Sequence, residues 1–143
     1  MTMSLKFYLD VNLSTPLSTP LTFEQAADGS TGPQTRVIYL GSNTGNRQFE
    51  AAINSGVDPI LLSVADSQPG SGQEVDNVRL ALTPNDLITA IPGAPITLPA
   101  TLLSGANNSI PIYIQVQDTA GLVGTDANIS LNTNNIIETA ATP

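Results

Sequence analysis

The sequence predicts an all-β chain folded as an antiparallel β-sandwich, and three observations predict it. Apolar residues recur at every second position in a series of short segments. Turn-forming residues punctuate those segments at roughly ten-residue intervals, which marks about seven to nine strands. No stretch between them has room for a long helix, so the alternation of strand and helix that builds a doubly wound parallel sheet is excluded. The chain has 143 residues, enough for one core that buries about 70% of the unfolded surface. Its aromatic residues are only Phe7, Tyr8, Phe23, Tyr39, Phe49 and Tyr113, so that core must be built mainly from Val, Ile and Leu, which suit strands. The chain has neither Cys nor Trp, and the Cys, Trp, Cys pattern of antibody domains is therefore missing. Immunoglobulin-like describes the expected architecture only, and a jelly roll is the alternative.

Leu5, Phe7, Leu9, Val11 and Leu13 alternate with Lys6, Asp10 and Asn12, which predicts a half-buried strand across 5–13. The tandem Leu13-Ser14-Thr15-Pro16 and Leu17-Ser18-Thr19-Pro20, followed by Leu21, places two prolines four residues apart. Each proline fixes φ and removes a backbone donor, so the segment should be extended. It can run along the edge of the sandwich or reach out as an arm onto a neighbouring subunit. Pro16, Leu17, Pro20 and Leu21 are accordingly candidate interface residues. After the turn cluster Asp28-Gly29-Ser30-Thr31-Gly32-Pro33, strands are expected at Val37-Ile38-Tyr39-Leu40, at Phe49, Ala51 and Ile53, and at Ile60, Leu62 and Val64. A polar loop over 66–76 leads to a strand at Val78, Leu80 and Leu82. Thr83-Pro84-Asn85-Asp86 offers an N-cap, a proline at the first helical position and an acid in the first turn, enough for one helical turn over 87–91. Ile96 and Leu98 make a short strand closed by Pro99, and 104–109 is a turn. Ile110, Ile112, Ile114 and Val116 give the clearest strand, with Tyr113, Gln115 and Gln117 on its polar face and Pro111 at a position that should lie at an edge or outside the ladder. Tyr113 is the best exposed aromatic and the fifth candidate interface residue, since tyrosine is enriched at interfaces. A loop over 118–126 precedes a last strand at Ala127, Ile129 and Leu131, and the chain should fray beyond Ile137. The organisation so read is a strand and proline-containing arm in 1–22, a sandwich in 23–137 and a tail in 138–143.

The chain carries four Lys or Arg, twelve Asp or Glu, no His and no Cys, for a net charge of −8. Without imidazole or thiolate it has no base poised near neutrality, no soft metal ligand and no activated sulfur nucleophile. Lys6, Arg36, Arg47 and Arg79 stand singly, leaving no stripe to neutralise successive phosphates or an anionic bilayer, so neither nucleic acid nor membrane is an expected partner. The first thirteen residues lack the apolar run of a signal peptide, and no stretch approaches about 20 apolar residues. A soluble, unprocessed chain made in the cytoplasm is expected. Asp118-Thr119-Ala120-Gly121 departs from the Asp-Thr-Gly of aspartic proteases at its third residue and has no second copy to share a proton with, so it reads as a turn. Asp66, Glu74 and Asp76 share a loop, but not at the spacing of a calcium hand. Gly70-Ser71-Gly72 lacks the later glycine or lysine of a nucleotide loop. No cofactor, metal or catalytic residue is expected, and the chain is not read as an enzyme.

The arm Asn107-Asn108-Ser109-Ile110-Pro111-Ile112-Tyr113-Ile114-Gln115-Val116-Gln117-Asp118, with Gly121-Leu122-Val123-Gly124-Thr125 and Ile129-Ser130-Leu131, resembles the late strands of immunoglobulin-like domains in tailed-bacteriophage virion proteins. The resemblance spans 47–131 and consists of strand and turn residue types. The composition, free of Cys and His and rich in Asn, Thr, Gly and Pro, is also similar to that of small capsid decoration, or cement, proteins of such phages. That resemblance implies a protein synthesised in the host cytoplasm and bound to the exterior of the virion. There it would contact the major capsid protein of the assembled shell as a dimer or trimer and reinforce capsomer contacts. A tail, neck or fibre-associated module that binds a host surface or glycan would share the fold and is the alternative.

Overall fold

The computed structural model describes residues 3–19, 21–24, 30, 32–67, 74–117 and 129–141. Ten strands occur among them: β1 (Lys6–Tyr8), β2 (Gln34–Gly41), β3 (Arg47–Ala51), β4 (Ile60–Asp66), β5 (Val78–Ala81), β6 (Ile96–Leu98), β7 (Thr101–Leu103), β8 (Ile110–Val116), β9 (Ile129–Thr133) and β10 (Ile136–Ala140). One helical turn, α1 (Asp86–Thr89), follows β5, and 3-10 turns precede β5 and β8. Every strand pairing is antiparallel. A four-stranded sheet has the order β1-β2-β8-β5, and two three-stranded sheets have the orders β10-β3-β7 and β6-β4-β9. The fold is an all-β sandwich. No helix among the described residues is long and apolar enough to cross a membrane.

One aliphatic cluster joins the three sheets. Ile38, Leu40, Val78, Leu80, Ile112, Ile114 and Val116 come from the four-stranded sheet, Phe49 and Leu102 from the second, and Ile60, Leu62, Val64 and Leu98 from the third. The register explains why these residues meet. Ile38 lies opposite Ile112, and Leu80 and Val78 lie opposite Ile114 and Val116, so directly facing residues share the inner side of the sheet. Each fully buried aliphatic side chain contributes about 1.5–3 kcal/mol relative to exposure, which is how a chain with so few aromatics sustains a core.

The expected strand across 5–13 is corrected, because β1 ends at Tyr8. The Asp10 carboxylate accepts hydrogen bonds from the backbone N–H groups of Ser14 (3.0 Å) and Thr15 (2.8 Å) and from the Ser14 hydroxyl. It thus satisfies locally a turn that competes with the ladder. The Ser14 hydroxyl bond first and the Thr15 N–H next hold this exposed carboxyl below its ordinary range. Leu9 and Val11 are left exposed while Leu13, at φ 57°, is buried. A leucine in the left-handed region is strained unless something holds it there. Leu13 seats its side chain over Gly41, where an added Cβ would come within 2.8 Å of Leu13 Cδ1. Beyond the turn, the Leu17 N–H donates to the Phe7 carbonyl (2.9 Å), the Leu9 N–H to the Thr15 carbonyl (2.8 Å), and Pro16 bridges Tyr8.

The frayed tail is the second correction. Residues 136–140 form β10 and pair along the whole of β3, so 138–140 belong to the sandwich. Glu138 anchors them: its Oε1 accepts from the Ser4 N–H and its Oε2 from Arg47 Nε, both at 2.7 Å. The Ser4 hydroxyl in turn accepts from buried Ser42 (2.8 Å). The third strand stops at Ala51, and Ile53 is exposed. There Asn54 turns at φ 57°, its carbonyl accepts from the Val57 N–H (3.0 Å), and the Ser55 hydroxyl donates to Ala51. The fifth strand closes at buried Ala81, one residue before Leu82. The helical turn covers Asp86–Thr89 instead of 87–91, with Asn85 at its N-cap, and the Thr83 hydroxyl before it accepts from the Asp86 N–H (3.2 Å). The short β7 is an addition that three residues were too few to announce. The turn clusters at 28–33 and 118–126 lie largely outside the described residues.

Leu13→Ala should cost about 2–5 kcal/mol, the range for emptying a buried leucine site, and Gly41→Ala about 1–3 kcal/mol by overpacking it. Denaturant titration of both variants checks this, and the double mutant should cost less than the sum because the added methyl fills part of the vacated space. The Ser4 N–H first, and the Arg47 guanidinium after it, lower the Glu138 carboxyl below its ordinary 4.5, so its ionised form is favoured in the folded state. That stability is present above pH 4.5 and is lost as pH falls through the lower folded value. Glu138→Gln should therefore reduce the melting temperature by about 2–4 °C at pH 7, and the gap to the parent should close in acid.

Candidate interaction surface

The four-stranded sheet turns its inner side to the core, and the residues opposite one another on its other side form three cross-strand rows. Pro16, Tyr8, Tyr39 and Pro111 make the first row. Val37, Tyr113 and Ala81 make the second, and Thr35, Gln115 and Arg79 the third. All three tyrosines of the chain therefore lie on this outer face, at positions where alternation would put polar residues. Tyr8 is buried, whereas Tyr39 and Tyr113 are half-buried. The face grades from aromatic and proline-rich at one end to amide, hydroxyl and guanidinium at the other.

The structure distributes the five candidate residues as follows. Pro16 is exposed beside β1, while Leu17 and Leu21 are half-buried and pack on the core. Pro20 lies outside the described residues. Tyr113 sits in the middle of β8, one row along from Pro16 and three strand positions across, a lateral separation of about 14 Å at ~4.8 Å per strand. Pro16 and Tyr113 thus share a face without touching, and Leu17 turns to the core side. The proline segment follows the edge of the sheet over 15–17, its hydrogen bonds to β1 being those of an added edge strand. Pro111, expected at an edge or outside the ladder, instead pairs with Tyr39 within the β2 ladder, and only on the β5 side does it lie past the last pairing, Ala81 with Tyr113. Tyr8 and Tyr39 are the members sequence reasoning missed. The signal was present in Tyr8, which shares parity with Lys6 and Asp10.

A second group of residues is exposed in pairs on turns. Leu9 and Val11 follow β1, Ile53 and Val57 join β3 to β4, and Ile88 and Ile91 flank the end of α1, the last four each more than two-thirds exposed. Beside α1, Leu82, Ala90, Ile91, Pro95 and Ile96 line an open groove of about 350 Å³ with Asp86 at its rim.

Among the described residues no group of three or more acidic side chains converges as metal ligands would. Asp66 ends β4, Glu74 is the N-cap of the 3-10 turn before β5, and Asp76 lies within that turn. Asp118 and Asp126 lie outside the described residues. Lys6, Arg36, Arg47 and Arg79 occupy β1, β2, β3 and β5 in turn.

Leu17→Ala should destabilise the fold by about 1–3 kcal/mol through lost apolar contact, while Pro16→Ala should change stability by less than about 0.5 kcal/mol, as exposed sites do. Thermal melts of the two single variants separate these outcomes. If Pro16→Ala proved the more damaging, the proline rather than Leu17 would be what fixes the segment against β1. No protein-family model, no curated protein and no solved structure matches this chain.

Proposed function

We propose that this chain is a virion structural protein that decorates and stabilises the outer surface of a tailed-phage capsid. In this reading it is non-catalytic, and as a dimer or trimer it contacts the major capsid protein of the assembled shell. The observation that carries the reading is the set of paired aliphatic side chains on turns: Leu9 with Val11, Ile53 with Val57, and Ile88 with Ile91. Single exposed aliphatics are ordinary on any surface. Pairs at three separate turns instead supply several small apolar contacts, each too weak to bind alone. A surface that repeats its own features converts such contacts into useful affinity by raising their effective concentration. The net charge of −8 without a cationic cluster suits the outside of a shell and not its packaged nucleic acid.

Cosedimentation with mature particles stripped of the protein, with empty precursor shells and with dispersed capsid subunits tests the proposal. Saturable binding to mature shells is expected, with binding to free subunits at least about a hundredfold weaker. Ile53→Asp with Val57→Asp should abolish shell binding while leaving the melting temperature within a few degrees of the parent. Binding confined to tails or host envelopes would transfer the assignment to a tail or fibre module.

A further inference from the structure

The polar end of the outer face closes into a cleft of about 190 Å³ lined by Asp76, Asn77, Arg79, Pro92, Gln115 and Gln117. Its walls are set by pairing. Arg79 lies opposite Gln115, and the Gln117 N–H donates to the Asn77 carbonyl (3.0 Å), which extends the same two strands past the ladder. The third wall is the strap that follows α1. The Gly93 N–H donates to the Val78 carbonyl (2.8 Å), bringing Pro92 against the free edge of β5. Gly93 adopts φ 79°, and a Cβ there would stand 3.2 Å from Asp76 Oδ1, so a glycine is what lets the strap pass over the acid.

Asp76, Arg79 and Gln115 in the cleft hold unused hydrogen-bonding capacity. Among the described residues neither Arg79 nor Asp76 has an ion-pair or hydrogen-bond partner, although both line the same small space. Gln115 donates one N–H to the Thr35 hydroxyl (3.3 Å) and keeps its carbonyl oxygen. The set comprises an acceptor-only carboxylate, a donor-only guanidinium and amides that do both. We propose that this cleft binds one pyranose ring of a neutral saccharide, an assignment independent of the shell-docking reading. Vicinal hydroxyls each donate and accept, so they match a wall of alternating acceptors and donors, whereas a phosphate or carboxylate ligand would meet Asp76 and the field of a chain at −8. The volume falls below the roughly 300–1,000 Å³ of sites that enclose a drug-sized ligand, which limits the occupant to a single ring with its neighbours in solvent. Pro92 offers an apolar surface to the ring's C–H groups. Half-buried Tyr113 stands one row away on the same face, diagonal to Arg79 and within reach of an aromatic side chain.

Methyl α-mannoside, methyl β-galactoside and methyl β-glucoside, titrated into the full chain and followed by backbone amide shifts, test the proposal. At least one should move the amides of 76–79 and 115–117 with a dissociation constant on the order of 1–10 mM. Arg79→Ala, Asp76→Asn and Gln117→Ala should each weaken it about tenfold or more, as loss of a charged or amide partner does, with amide spectra that remain those of the folded chain. Ile88→Ala, away from the cleft, should leave it unchanged. The proposal is overturned if no pyranoside shifts these amides by about 100 mM, or if the shifts survive all three cleft substitutions. It is equally overturned if glucuronate binds more tightly than the matching glucoside and Asp76→Asn strengthens it, because the cleft would then be an anion site. Cosedimentation of the Arg79→Ala protein with shells reads the docking proposal separately, since those apolar turns are untouched.

Discussion

The alternation along β8 is the constraint on which the rest of the molecule depends. This strand lies between β2 and β5, and Ile112, Ile114 and Val116 face inward along it and are buried. They meet Ile38, Leu80 and Val78 within their own sheet and the aliphatics of the other two sheets across the core. Pro111, Tyr113 and Gln115 necessarily face outward, so the strand that builds the core also writes the outer face. A one-residue slip of β8 would bury Gln115 and expose three core residues together. Core and candidate surface are therefore specified by one register and cannot vary independently.

A sandwich with several short sheets has many edges, and the sequence covers them by different means. The free side of β1 receives residues 15–17, with Pro16 at the bridge to Tyr8. The free side of β5 receives Gly93, and β6 sits between Pro95 and Pro99. Proline cannot donate to an incoming strand, and the strap's Gly93 N–H donates to the Val78 carbonyl, which occupies an edge acceptor that could otherwise template further pairing. Leu13 adds a different device. Its turn is closed by Asp10, its backbone is held in the left-handed region, and its side chain fills the niche that Gly41 leaves. Packing energy from the buried leucine offsets the backbone strain, which links a loop to the sheet without another strand.

What the sequence made legible was periodicity. The strands at 60–66 and 110–116 were readable because five or more residues alternated between clear turn signals, and the single helical turn because Thr83 and Pro84 form a local signature. Where periodicity misled, a side chain had overridden it. Apolar residues alternate across 5–13, but the Asp10 carboxylate closes a turn that no hydropathy pattern records. The final strand looked like a frayed end because Ile136 and Ile137 are adjacent, and its partner β3 lies some ninety residues earlier in the chain, with Glu138 and Arg47 91 residues apart. Such pairing is decided by long-range contact, which local propensity does not contain. The candidate surface was partly legible: Tyr113 stood out on a polar face, whereas Tyr8 and Tyr39 join it only through register. The cleft at Arg79 could not be read at all, because its walls come from three segments brought together by a glycine at positive φ.

The distribution of chemistry over the surface constrains how this molecule can associate. The four cations lie on four strands and the chain carries twelve acids, and screening by salt would change little for contacts that are apolar or amide in kind. Affinity must come from short-range complementarity. The turns carrying Leu9, Val11, Ile53, Val57, Ile88 and Ile91 are short and joined to the core, so the docking proposed for them would cost little chain entropy. The polar cleft is likewise walled by β5 and β8, whose positions the core fixes, and its side chains project from paired backbone instead of a free loop. Preorganisation of this kind lowers the entropy cost of any contact the surface makes. It ties the aliphatic sandwich to the surface, because the core fixes where each exposed group stands.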